Sequence, residues 1–548
     1  MHQSTIADYT YDPAPEERLS EWRALRDYDD RESRAAAHAL LTDLHGGLGL
    51  RPALHRHPAA HGYLTKDFLL HVYREMVQAG ELPQEERILR ALRMKPVRTL
   101  SGVATITVLT KPYPCPGECL FCPTDARMPK SYLHDEPGAM RAEQHHFDPY
   151  EQTAARLESL EAVGHPTGKV ELLILGGTWT AYPRDYQARF VQRCLDALNG
   201  GESSTLAEAQ ERNAQATRRN VGLVIETRPD RITPAELRWL RSLGVTKVQI
   251  GVQSTQDRIL ELNQRGHTLA DTRQAFRLLR AAGFKIQAHW MPNLLGADEH
   301  SDRADFAALW SDLDLRPDEL KIYPTSLLRD SKLFTSWERG EYHPYSFEQL
   351  IELLVTIKPT IPRYCRVSRL VRDIPAHHVV AGNRRSNLRE EAQRVLASRG
   401  LRCQCIRCRE IRGQPVRRED LRLEELVYRT GGAEEHFLSF VTCQDRLAGY
   451  LRLSLPHEPG ERLGWPDLRE AALIREIHIY GQSLEVGDPG SQGAAQHVGL
   501  GSELLSNAET LARRRGYTRL AVISAIGTRG YYAERGFLPE ELYQVKPL

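Results

Sequence analysis

The chain has 548 residues, a prior of roughly three to four structural units at ~150 residues each. Its 73 Lys and Arg against 72 Asp and Glu leave a formal charge of +1, which excludes a uniformly basic nucleic-acid tail and an acidic solvating protein; any affinity for nucleic acid must reside in local clusters. With 41% hydrophobic and 26% charged residues the composition is that of an ordinary globular protein, so disorder throughout is excluded. No apolar stretch approaches the roughly 20 residues of a membrane helix, and the opening Met1-His2-Gln3-Ser4-Thr5 lacks the charged-then-apolar order of an export signal. The expectation is a cytoplasmic protein without membrane contact.

Residues 1–95 alternate acidic and basic helix-forming runs, with apolar residues at helical spacing around Phe68-Leu69-Leu70-His71-Val72-Tyr73. They predict a helical region, either a cap with solvated charged faces or an arm that contacts nucleic acid. From Val103 the rhythm becomes short β-branched runs at 103–109, 170–175, 221–225, 247–251, 285–289 and 320–323, separated by amphipathic helical segments. Alternating strand and helix predicts parallel strands with right-handed crossovers, and six units rather than eight predict an open, partial (β/α)6 barrel over 96–358. Chemistry in such folds sits at the carboxyl ends of the strands.

Residues 359–415 break the rhythm and are dense in arginine: Arg363, Arg366, Arg369, Arg372, Arg384, Arg385, Arg389, Arg402, Arg407, Arg409 and Arg412. This reads as a linker with a basic stripe. From 416 to 548 strands at 436–441, 447–454 and 472–480, a Gly-rich loop, a helix at 502–515 and a strand at 520–524 predict a separate α+β domain.

Six of the nine cysteines fall in two tight groups, which in a chain without an export signal points to metal rather than disulfides. Cys194 and Cys443 are isolated and read as inert packing residues. Cys115, Cys119 and Cys122 have the spacing C-x3-C-x2-C directly after the first barrel strand. Three thiolates on one loop suit a four-iron cluster with one iron left open; the alternative is a zinc site whose fourth ligand is not apparent. The spacing, Phe121 before the last cysteine, and the position after strand one resemble the radical S-adenosylmethionine (SAM) superfamily. That resemblance implies a [4Fe-4S] cluster whose open iron binds SAM, an external electron donor, and release of a 5'-deoxyadenosyl radical on reduction. Gly176-Gly177-Thr178, Glu226 and Gln253 close the second, third and fourth strands, where they are candidates for binding SAM, although a glycine pair after a strand is usually only a turn. Cys403, Cys405 and Cys408 lie in the Arg-rich segment and read as a structural zinc site completed by Cys365, His377 or His378, or else as incidental or redox-active thiols.

Gln496-His497-Val498-Gly499-Leu500-Gly501 follows the strand that contains Glu476, Ile477, His478 and Ile479, and it opens a helix at Ser502. Glycines there let backbone N–H groups approach a pyrophosphate at the positive end of the helix dipole. The order strand, Q-x-x-G-x-G, helix, strand, then Tyr531-Tyr532 resembles the GNAT acyltransferases. This implies acetyl-coenzyme A as ligand, with a tyrosine, Tyr531 or Tyr532, near the thioester; a buried core tyrosine is the competing reading of Tyr531.

A radical-SAM barrel followed by a GNAT domain resembles the catalytic subunit family of the elongator complex, from about residue 98 to the C-terminus. Matching stretches include Met140-Arg141-Ala142, Leu320-Lys321-Ile322-Tyr323-Pro324-Thr325, Arg372-Asp373-Ile374-Pro375 and Asn387-Leu388-Arg389-Glu390. Pro123-Thr124-Asp125 and Asn293 depart from the family pattern. The resemblance implies carboxymethylation of carbon 5 of the wobble uridine in the tRNA anticodon stem-loop. The methyl carbon of acetyl-coenzyme A is the donor, and an electron, a proton and the thioester are lost on the way to product. It assigns Lys169, Glu476 to Ile479, Leu500 to Ser502 and Tyr532 to acetyl-coenzyme A, and the Arg stripe to tRNA phosphates. Rival readings are a protein lysine acetyltransferase with a structural iron-sulfur domain and a non-catalytic tRNA-binding scaffold. Partner subunits are compatible with the sequence but not implied by it.

Overall fold

A computed structural model describes residues 30–58, 63–412, 414, 416–460, 462–480 and 499–548. The chain forms two compact units, residues 1–96 with 158–165, and 97–157 with 166–548. Within the described part of the first unit the helices Arg31–His45, Leu50–Arg56, Lys66–Gln78 and Glu86–Leu92 bury one stripe each. Leu40, Leu41, Leu69, Leu70, Tyr73 and Leu92 meet in their common core, as the helical spacing predicts. Asp30 caps the first helix by accepting from the Ser33 amide at 2.7 Å.

The second unit holds two seven-stranded sheets. The first comprises β1 (Ala104–Leu109), β2 (Lys169–Leu175), β3 (Arg219–Thr227), β4 (Lys247–Gln253), β5 (Lys285–Trp290), β6 (Glu319–Ile322) and β7 (Arg366–Arg369), in sequential order and parallel throughout. All six predicted strands form. A seventh comes from the Arg-rich segment, whose Val367 packs into the core beside Leu320.

Parallel strands covered on both faces normally read as continuous apolar runs, but these alternate. Lys247, Gln249 and Gln253 on β4, Lys285, Gln287 and His289 on β5, and Glu319 and Lys321 on β6 are interleaved with Val248, Ile250, Val252, Ile286, Ala288, Leu320 and Ile322. Because side chains alternate in direction along a strand, the apolar set faces the surrounding helices and the polar set fills the lumen. The polar residues bond to one another across the lumen, mostly between strands that are next but one in the sheet. Lys247 pairs with Glu171 at 2.7 Å and Glu319 at 3.5 Å, Gln249 accepts from Lys321, and His289 meets Gln249 at 3.2 Å.

The second sheet contains β8 (Leu421–Thr430), β9 (Ala433–Thr442), β10 (Leu447–Pro456), β11 (Ala471–Ile479), β12 (Arg519–Val522), β13 (Leu538–Pro539) and β14 (Gln544–Pro547), in the order β8-β9-β10-β11-β12-β14-β13. Every pair is antiparallel except β11 with β12. That parallel pairing ends at Ile474 opposite Val522, with Ile523 N–H donating to Ile474 C=O as the last rung. Residues 475–479 continue on β10 alone, so β11 and β12 part.

The amino ends of the barrel strands meet the second sheet in a buried ionic network. Asp318, just before β6, is chelated by Arg475 of β11, Arg452 of β10 and Arg280. Burial alone would raise its carboxyl, but Arg475, Arg452 and Arg280 hold it well below the usual range. Lys285 of β5 bridges Glu319 and Glu476. Gly527 packs directly on the Asn220 backbone, and Tyr543 Oη donates to Ala282 C=O at 2.7 Å.

Candidate active site

The loop after β1 carries Cys115, Cys119 and Cys122 to the carboxyl ends of the strands, as predicted. Its floor is two buried guanidinium groups that the sequence reading missed. Arg265 Nη1 donates to Cys119 Sγ at 3.0 Å and its Nη2 to Gly251 C=O at 2.7 Å. Arg228 donates to Asp230 and to Arg265 C=O, while its Nη1 is buried without a partner and occupies the space that a side chain at Gly117 would need. The Cys119 thiol lies below its ordinary range, through its hydrogen bond with Cys122 and the nearby Arg265 and Arg228 charges. Gly117 N–H donates to Cys115 Sγ at 3.4 Å, and Thr178 lies 3.4 Å from the same sulfur. Thiolates are favoured by such cations, and an orphan guanidinium N–H at the loop is a donor for cluster sulfur or cysteine. The residues fit a [4Fe-4S] cluster.

The other predicted strand-end residues surround this floor with different roles. Gly176 and Gly177 have φ of 143° and 86°, and a side chain at Gly176 would collide with Thr110. The turn itself therefore demands the glycine pair. Gln253 has φ 66° and a buried, unpartnered Oε1. Glu226 is half-buried at the end of β3, accepting from Tyr132 at 3.5 Å and lying 3.5 Å from His289. Burial raises its carboxyl, with Lys321 and Arg372 opposing. Lys321 is lowered to about 8 by burial, despite the attraction of Glu226. The His289 imidazole is held neutral by burial and by Lys321. Tyr132, Lys321 and His289 were given no role in the sequence reading and Arg372 was counted in the stripe for tRNA phosphates, although the polar alternation of β4 to β6 is the signal that marks the lumen.

At the opposite end of the barrel stand the residues assigned to acetyl-coenzyme A. Lys169 opens β2 beside Arg219, and burial first, then Arg219, pushes its ammonium down. Glu476 is committed to Lys285, Arg452 and the Tyr450 hydroxyl, leaving its backbone and those of Ile477, His478 and Ile479 at the parting of β11 and β12. His478 is half-buried between Tyr450 and Tyr480, its Nε2 without a partner among the described residues. Gly499, at φ 72°, precedes the helix Leu500–Arg514, which also carries Gly501 and Ser502. A Cβ at Gly501 would lie 2.9 Å from Tyr531 Oη. Arg535 stacks on Tyr531 at 3.7 Å and donates to Ser502 Oγ at 3.3 Å. Tyr532 is a buried residue against Phe537, whereas Tyr531 is the tyrosine beside the glycine turn. Gln496 lies outside the described residues.

Cys403, Cys405 and Cys408 converge, their sulfurs within 4.8 Å of one another. Cys365 accepts from Ile406 N–H through its carbonyl at 2.9 Å, and His377 and His378 point at Asp135 instead. The Arg stripe is largely spent on internal partners. Arg363 and Arg409 pair with Asp445, Arg366 with Glu410, Arg372 with Glu136, and Arg389 and Arg407 donate to the Val367 and Ser368 carbonyls. Arg369, Arg384, Arg385, Arg402 and Arg412 remain exposed. Carboxylates distant in sequence and two backbone carbonyls take up the rest, which arginine density alone cannot reveal. Among the described residues no helix is long and apolar enough to cross a membrane.

A partial parallel barrel with a three-thiol loop at its carboxyl ends defines a radical SAM protein. Residues 113–307 match the radical SAM superfamily, and residues 317–397 the Radical_SAM C-terminal domain. Such a fold implies SAM and a [4Fe-4S] cluster. Over 478 residues the chain is 40% identical to the tRNA uridine(34) acetyltransferase of Methanocaldococcus jannaschii, covering 84% of this chain and 88% of that protein. It is 36% identical over 488 residues to elongator complex protein 3 of Homo sapiens, covering 85% and 88%. The solved structure of the archaeal Methanocaldococcus infernus Elp3 with an N-terminal deletion superimposes with a TM-score of 0.72 at 37% identity, over 82% of this chain and 99% of that one. The chain belongs to the elongator complex protein 3 family, which includes the tRNA uridine(34) acetyltransferases.

Proposed function

We propose that this protein modifies the wobble uridine of tRNA, forming 5-carboxymethyluridine with acetyl-coenzyme A as carbon donor. When bound, the reduced cluster and SAM supply a 5'-deoxyadenosyl radical, the species able to remove hydrogen from an unactivated methyl group. Cys115, Cys119 and Cys122 would hold the cluster over the Arg228 and Arg265 floor. Gln253 and Glu226 offer polar atoms for SAM at the strand ends. The N–H groups of Leu500, Gly501 and Ser502, freed at the helix start, suit a pyrophosphate, and the Lys169 ammonium suits a further phosphate. The backbone of Ile477 and His478, beyond the end of the β11–β12 pairing at Ile474, is placed to meet a pantetheine amide. Tyr531, reached across Gly501, is the tyrosine best placed near a thioester. The uracil must be unstacked to enter, and Lys321, with its ammonium near neutrality, is the lumen group suited to exchange a proton with the ring. Cys403, Cys405 and Cys408 would hold a structural zinc ion, which would account for three converging thiols in a loop-rich segment. Exposed Arg384 and Arg385 are among the members of the basic segment available to tRNA phosphates.

The observation that carries this reading is the unbroken polar lining of the lumen, which runs from the arginine floor beneath the thiols to Glu476 on β11. A scaffold that bound tRNA without chemistry would have no use for buried, strongly perturbed His289 and Lys321 beside the Glu226 carboxylate. The test is anaerobic incubation with reductant, SAM, acetyl-coenzyme A and tRNA, followed by nucleoside mass analysis, beside a Cys119→Ala variant. Carboxymethyluridine from the wild type alone is expected; equal product from the variant would refute the radical assignment.

A further inference from the structure

Away from both cofactor sites, Asp135, His377 and His378 bring three ligand-type side chains to one point. We propose that they bind a divalent transition metal, zinc being favoured by the ligand set, and that the ion ties the loop ending at Asp135 to the turn Ala376–His378. Both histidines aim the same ring nitrogen at a single carboxylate: His377 Nε2 lies 2.8 Å from Asp135 Oδ2, and His378 Nε2 lies 2.8 Å from each carboxylate oxygen. All three donors fall within 4.8 Å of one another.

Two imidazoles adjacent in sequence, with centroids 4.2 Å apart, repel when both are protonated. When both are neutral, one cation satisfies them and the carboxylate together. Zinc sits about 2.0–2.2 Å from nitrogen and oxygen ligands, so tetrahedral donors lie roughly 3.3 Å apart. The observed 2.8 Å contacts need to open by only about 0.5 Å, a small torsional adjustment.

The ligands are fixed from behind by a dry cluster. Leu133, two residues before Asp135, packs with Leu328 and with Val379, the residue after His378. Arg372 holds the same loop through Ser131 and Glu136. A fourth position is available in two ways. The ring of His134 stands edge-on to His378 at 6.3 Å, and His377 and His378 line an adjoining cavity of about 300 Å³ with room for water. The Cys403, Cys405 and Cys408 group is built wholly of sulfur donors, so the two sites differ in spectroscopic signature.

The test uses the full chain with its cluster in place, freed of loosely bound metal by a chelator and then titrated anaerobically with cobalt(II). The wild type is expected to bind cobalt at a site without a thiolate charge-transfer band. His377→Ala/His378→Ala should bind one equivalent fewer while any thiolate band is unchanged. Asp135→Asn preserves a hydrogen-bond acceptor and the fold, and it should weaken that same equivalent at least tenfold. Equal stoichiometry and affinity in wild type and both variants would overturn the proposal. So would a lost equivalent that carries the thiolate band, since that ion would reside on cysteines.

Discussion

Asp318 offers the sharpest test of how the two sheets are joined. Its carboxylate is fully buried, as is Arg475, and it bonds to both terminal nitrogens of that residue, with Arg452 at 3.4 Å and Arg280 at 3.9 Å. It also accepts from Ile286 N–H at 2.9 Å. Asp318→Asn keeps the shape and an acceptor for Ile286 but leaves three buried guanidiniums to share Glu435 and Glu476. Removing one partner of a buried ion pair costs about 3–5 kcal/mol, and we expect that loss in equilibrium denaturant unfolding. Arg475→Met alone should cost a similar amount, because it removes the closest partner of Asp318 and one partner of Glu435. The double variant should fall short of the sum by at least ~2 kcal/mol, the coupling expected of groups in one network. Additivity within ~0.5 kcal/mol would show that the network does not join the sheets energetically. Linkage supplies an independent readout. Asp318 titrates lower folded than unfolded, so its contribution is complete above its unfolded value of 3.8 and is lost as pH falls below it. The wild type should therefore lose more stability on acidification below pH 3.8 than Asp318→Asn does.

Lys321→Met should abolish base modification while leaving reductive SAM cleavage without tRNA intact. Activity that rises through a group near pH 8 in the wild type should lose that limb in the variant; an unchanged pH profile would remove Lys321 from the chemistry. Gly501→Ala should raise the Kd for acetyl-coenzyme A about tenfold, ~1.4 kcal/mol, by pushing on Tyr531, and adding Tyr531→Phe should recover part of it. Calorimetry showing no change would argue against a ligand at this turn. Replacing Arg384 and Arg385 with Ala should weaken tRNA binding and reduce its salt dependence by roughly one to two phosphate contacts, whereas Arg407→Ala should lower stability and spare affinity. Equal binding losses in filter assays would refute the distinction drawn from exposure.

What was legible in the sequence is local. The C-x3-C-x2-C spacing, the β-branched runs of the barrel and the glycine before Leu500 depend on neighbouring residues, and each stands where it was expected. What was missed depends on folding back. Arg228, just past β3, and Arg265, between the helices Asp257–Leu262 and Leu269–Ala281, come to the thiol loop from elsewhere in the chain, and nothing near them in sequence marks them as its partners. Asp318 looks like any loop acid until Arg475, 157 residues on, meets it. The Arg stripe misled for the same reason, since Asp445, Glu410 and Glu136 lie far along the chain from the arginines they neutralise. Val367 was read as linker because a four-residue strand in an Arg-rich stretch has too short a pattern to register.

The barrel strands have the thiol loop at one end and Lys169, Lys285 and Glu476 at the other. β2 alone spans seven residues, about 23 Å at ~3.3 Å per residue. Strand length thus acts as a ruler separating the place where a radical would be born from the place where a nucleotide tail would be gripped. Under the proposed function, a donor gripped at the far end would have to present its reactive tip on a tether of that reach. Shortening the tether should disable the enzyme more thoroughly than weakening the grip.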